Sequence, residues 1–110
     1  MKQTITISQK EKKLIDDLLS LNGDEIYQKY GYKRDETITH TAVFPEGIEA
    51  DIKLVICEGE ERPYTEGVLF KHGSELTHTD VEETYVGEWE FEYEGEEYIV
   101  NVVVEGEADV

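Results

Sequence analysis

From Thr37 onward the chain alternates apolar and polar residues with a period of two, and before that its apolar residues recur at helical spacing. Ile38, His40, Ala42 and Phe44 alternate with Thr37, Thr39, Thr41 and Val43. The tripeptide Pro45-Glu46-Gly47 turns the chain. Ile48, Ala50, Ile52, Leu54 and Ile56 then alternate with Glu49, Asp51 and Lys53. A three-residue loop with Gly47 in the left-handed region pairs Phe44 with Ile48, Ala42 with Ala50, His40 with Ile52 and Ile38 with Leu54. Both apolar sets then share one face, which a slip of one residue would destroy.

Residues 64–71 and 74–81 read as a third and a fourth strand, joined at His72-Gly73 by a loop of two or three residues. If the third strand keeps phase with Val68 and Phe70 on the core side, Leu69 points outward. A last hairpin turns at Glu94-Gly95 and pairs Phe91 with Tyr98, Trp89 with Val100 and Gly87 with Val102. Its apolar face carries Trp89, Phe91, Tyr98 and Val100. Its other face carries Glu88, Glu90 and Glu92 against Asn101, Ile99 and Glu97.

The N-terminal third reads differently. Residues 4–7 are β-branched and form a short strand or an extended lead-in. Ser8 followed by Glu11 is a capping box, in which Ser8 caps the third amide and Glu11 reaches back. Leu14, Ile15, Leu18 and Leu19 continue it as one apolar stripe, so a helix is expected over 8–21, with Asn22-Gly23 as a left-handed stop. A second, short helix over 24–31 is capped by Asp24 and ended by Gly31. The expected fold class is α+β: one domain over 1–110, mainly helical over 1–34 and sheet over 35–110. An N-terminal helix and a short second helix pack on an antiparallel meander of five to six strands.

Charge changes the picture more than composition does. Ten basic residues face 27 acidic ones, a net of -17. Residues 1–34 carry seven basic and five acidic residues, whereas residues 35–110 carry three and 22. Direct binding to nucleic acid is excluded on this ground, because phosphate contacts need Lys and Arg, and anionic membranes are disfavoured alike. A basic protein surface is attracted instead. No apolar run of secretory length follows Met1 and none could span a bilayer, so a cytoplasmic location is expected. The lone Cys57 excludes an intrachain disulfide and a multi-cysteine zinc site.

Candidate chemistry is sparse. No phosphate loop, dinucleotide fingerprint, calcium loop or zincin helix occurs. His78 and Asp80 share a strand face, with Glu66 across the sheet, but strand spacing gives this arrangement often by chance. His40 is expected on the core side. Acidic neighbours blunt Cys57 as a nucleophile. We therefore expect no catalytic activity, no cofactor and no metal. Residues 80–97 hold nine acids and no base. Glu82, Glu83, Glu88, Glu90, Glu92 and Glu97 form the candidate partner-binding face, either a solvated outer face or an imitation of nucleic acid directed at a basic site. The alternative is a structural or interaction module, or a homodimer, that uses an apolar outer patch of Val55, Ile99 and Val103.

Overall fold

In the computed structural model, which describes residues 1–81 and 83–106, the elements run β1 (Lys2–Ile7), α1 (Gln9–Leu19), α2 (Gly23–Tyr30), β2 (Thr37–Val43), a 3-10 turn (Pro45–Gly47), β3 (Ile48–Val55), β4 (Tyr64–Lys71), β5 (Ser74–Val81), β6 (Gly87–Tyr93) and β7 (Glu96–Val104). The fold is α+β, with two helices packed on the sheets. Among the described residues six strands run from Thr37 onward, and the segment after Met1 supplies a seventh. They form not one sheet but two: β2-β3-β4-β5, antiparallel throughout, and β1-β7-β6, in which β1 runs parallel to β7. Alternation with period two specifies which residues share a face. It does not specify how many sheets the strands form, and so could not separate the two.

Both hairpin registers read from the pattern are present. Ala42 pairs with Ala50, His40 with Ile52 and Ile38 with Leu54. Phe91 pairs with Tyr98, Trp89 with Val100 and Gly87 with Val102. The β4–β5 loop has two residues, His72 and Gly73, both at positive φ. Beyond it the register shifts between Leu69 and Phe70.

The phase of β4 is the reverse of the expected one. Ala50, Ile52 and Leu54 of β3 stand opposite Leu69, Gly67 and Thr65. Leu69 is therefore buried, and Val68 and Phe70 lie half-buried on the outer side. Gly67 explains why the larger residues were misleading. A Cβ there would stand 2.7 Å from Cζ of Phe91 and 3.1 Å from Cε3 of Trp89, both on the other sheet. The two sheets thus pack face to face, and at this point only a hydrogen fits between backbone and rings. Phe44 meets Tyr98 edge-on nearby, with centroids 5.2 Å apart. The buried polar residue Thr65 donates its hydroxyl to the carbonyl of Thr84 at 2.8 Å.

β7 is the central strand of its sheet, flanked by β1 and β6. Tyr98, Val100, Val102 and Val104 are buried on its inner face, and Ile99 and Val103 are half-buried on its outer face. Apolar residues on both faces, buried inside and half-buried outside, make its apolar run nearly continuous.

The helices close the core from the N-terminal side. Ser8 accepts the amide of Glu11 at 3.0 Å and starts α1, which ends at Ser20. Ile15 and Leu18 of its stripe are buried. Asn22 is not the stop of α1 but the N-cap of α2, in a full capping box with Glu25, because its backbone is extended. Gly23 lies inside α2. Its missing Cβ allows the carbonyl of Cys57 to approach to a point 2.4 Å from where that atom would stand. Asp24 therefore falls one residue inside α2, and Gly31 ends the helix at φ 80°.

Gly67→Ala is expected to destabilise the fold by about 1–3 kcal/mol, the range for overpacking a core. Trp89→Ala is expected to remove about 3–5 kcal/mol. In a Phe91→Leu background the Gly67→Ala penalty should shrink, because the ring edge it strikes is gone. Urea denaturation of the single and double variants measures all three, and additive effects would contradict the contact.

Candidate functional site

The outer face of the β1-β7-β6 sheet is built by strict alternation. With Trp89, Phe91, Val100 and Val102 turned inward, Glu88, Glu90 and Glu92 must face out, opposite Asn101, Ile99 and Glu97. All four glutamates are exposed. On the other flank Lys2, Thr4 and Thr6 stand opposite Ile99, Asn101 and Val103. Lys2 reaches diagonally over β7 to Glu88, with Nζ 3.2 Å from Oε2. Both partners are more than half exposed, so this pair contributes little. The face therefore has an acidic edge, a half-buried apolar centre and a Lys-Thr edge. Glu92 lies directly across from Glu97, a like-charge pair that a sheet tolerates at a loss.

The other candidate residues divide between surfaces. Glu83 is exposed in the β5–β6 connection and lines a cavity of about 730 Å³ together with Glu66, His78 and Asp80. Asp80 pairs with Glu66 across β4 and β5, on the outer face of the four-stranded sheet. Glu83 thus stands with that cluster, apart from the Glu88–Glu92 row, because the connection leads from one sheet to the other. Glu82 lies outside the described residues. The apolar patch divides in the same way. Ile99 and Val103 share the acidic face, whereas Val55 pairs with Thr37 and Tyr64 on the outside of the other sheet. Leu69 is buried and leaves the patch altogether.

In the His78 cavity burial, then Glu61 and Asp35, push the Cys57 thiol above its ordinary range. That makes it a weaker nucleophile at neutral pH. Among the described residues no cluster of three His, Cys, Asp or Glu side chains has a metal-binding arrangement. Among them also no helix is long and apolar enough to cross a membrane.

A further cleft of about 800 Å³ opens between the helices, with Lys10, Lys13 and Leu14 on one side and Tyr30 and Tyr32 on the other. Asp17 lies in it and ties α1 to α2, accepting from Lys29 at 2.7 Å and from the Tyr30 hydroxyl. These hydrogen bonds, from Lys29 first, hold the Asp17 carboxyl below its ordinary value of 3.8.

Sequence spacing missed one constellation. The Glu11 side chain does not complete the capping box on α1. Its Oε1 lies 2.8 Å from Nε2 of His40, and Nδ1 of the same ring lies 2.6 Å from the Tyr85 hydroxyl. The partners are 29 and 45 residues from His40 along the chain. The available signal was the inward position of His40 itself, since an imidazole on a core face needs polar partners.

No protein-family model matches this chain, and neither a curated protein nor a solved structure does.

Glu97→Lys is expected to raise stability by about 0.2–1 kcal/mol by turning a like-charge cross-strand pair into an opposite one. The gain should fade as salt is added, and urea denaturation at two ionic strengths checks it. The Asp17 clamp has a lowered folded-state pKa, so its contribution is present above the ordinary value of 3.8 and is lost as pH falls below it. Wild type and Asp17→Asn should therefore differ in melting temperature at neutral pH and converge in acid.

Proposed function

We propose that this protein is a non-catalytic binding protein of the cytoplasm, which meets a basic surface of a partner protein with the outer face of β1-β7-β6. It would act as an inhibitor or accessory protein in the manner of a nucleic-acid mimic. The observation that carries this reading is the exposed row of Glu88, Glu90 and Glu92, with Glu97 held opposite Glu92. A sheet that needed only solubility could mix lysines into that row at a gain in stability. Same-face residues of a strand repeat at about 7 Å, twice the spacing of phosphates along one DNA strand. A partner that grips alternate phosphates would find carboxylates at a similar pitch.

Ile99 and Val103 belong to the same face and supply an apolar centre beside the acids, which suits a docking surface with a charged border. Self-association through them is the weaker reading. An isologous dimer would bring this face against a copy of itself and set the glutamate rows together.

The test is the triple variant Glu88→Gln, Glu90→Gln, Glu92→Gln against basic partners recovered at low salt and released at high salt. Association is expected to slow by roughly tenfold at low salt, with a shallower salt dependence and little change in dissociation. The fold should be unaffected or slightly more stable. An unchanged association rate would reject the acidic face and leave Ile99 and Val103 as the site to test next.

A further inference from the structure

A proton count at His40 leads beyond the surface. Tyr85 is buried in the β5–β6 connection, and its hydroxyl oxygen lies 2.8 Å from the carbonyl oxygen of Ile52 and 2.6 Å from Nδ1 of His40. Burial, then Glu11, pushes this phenol far above its ordinary range, so it keeps its single proton. The Ile52 carbonyl can only accept, so the hydroxyl proton points there. Nδ1 must then donate to the tyrosine oxygen. On the far side of the ring, Nε2 faces Oε1 of Glu11 at 2.8 Å, and a carboxylate can only accept as well. All three hydrogen bonds form together only if both ring nitrogens carry protons, or if the second proton sits on Glu11. Either way the network holds one proton more than a neutral imidazole and an ionised carboxylate together. Turning the hydroxyl to Nδ1 instead would leave two oxygens 2.8 Å apart with no proton between them in a buried place, which is unfavourable.

We propose that Glu11, His40 and Tyr85 form a proton-loaded latch that holds α1 on the sandwich while the extra proton is present and loosens it when that proton leaves. The latch joins α1, β2, the carbonyl of Ile52 in β3 and the connection that leads into the acidic hairpin. The connection is itself pinned, since the Tyr85 carbonyl accepts the Trp89 indole N–H at 3.0 Å. Side-chain exposures of 20% for His40 and 35% for Glu11 leave the proton a route to water. The charged and titratable groups facing the network are Glu11 from α1, Tyr85 from the connection and, at longer range, Asp51 of β3.

The sign follows from linkage. Between the ordinary carboxylate and imidazole ranges, about pH 4.3 to 6.5, the separated groups already carry the same number of protons as the latch, and its contribution is full. Above that window the opened groups hold one proton fewer, so the contribution falls as pH rises.

Nitrogen-15 NMR of the imidazole of the full chain at about pH 7.5, above the ordinary imidazole range, tests the count directly. Two protonated ring nitrogens at His40, or one with a protonated Glu11 carboxyl seen by carbon-13 NMR, are the expected result. A ring with one bare nitrogen beside an ionised Glu11 would overturn the proposal without recourse to any variant. Hydrogen exchange of the α1 amides tests the consequence. After correction for intrinsic base catalysis, protection should fall several-fold between about pH 6 and pH 8.5, a window that brackets imidazole titration. In Glu11→Gln the α1 amides should be less protected at the lower pH and should lose the pH dependence. A uniform loss at every pH would mark Glu11 as merely structural and reject the latch.

Discussion

The structure depends on the contact between Gly67 and the rings of Trp89 and Phe91. There the backbone of the four-stranded sheet lies against the aromatic face of the three-stranded one, with no side chain between. That approach sets the separation of the sheets locally and the inward phase of β4. The inward phase in turn buries Leu69 and turns Val68 and Phe70 out. It also determines where charge can go. Once Trp89 and Phe91 are committed inward, alternation leaves Glu88, Glu90 and Glu92 no other side.

The charge distribution follows from this constraint and adds one of its own. Glu92 and Glu97 face each other across β6 and β7, an arrangement that lowers stability and that one lysine would relieve. This unrelieved like-charge pair is the structural feature on which the proposed role in recognition rests. The acids before and after the β5–β6 connection lie on different surfaces, because the connection carries the chain from one sheet to the other.

The helical layer is joined to the sheets by polar contacts as well as by its buried stripe. Ile15, Leu18 and Ile26 belong to the common core. Glu11 leaves its capping role to bind His40, so α1 starts with half a capping box and gains a tie to β2 and Tyr85. The tie answers the need of an inward imidazole for partners on both nitrogens. It also makes the position of α1 depend on a proton, which a purely apolar contact would not.

The amino-acid sequence by itself determined what rests on neighbours along the chain. The two hairpin registers, the start of α1 at Ser8, the end of α2 at Gly31 and the outward glutamates on β6 are all set by period, turn chemistry and capping, which act over a few residues. The tertiary structure decided what rests on residues far apart. β1 beside β7 is a parallel pairing with no turn to announce it. The division into two sheets separates Val55 from Ile99 and Val103, although all three obey the same alternation, and the connection between the sheets sets Glu83 apart from Glu88. Gly23 looked like a stop, and it and Gly67 became sites of close approach only once Cys57 and Phe91 were placed against them. Glu11, His40 and Tyr85 came together only in the folded chain, because no local pattern links residues so far apart in sequence.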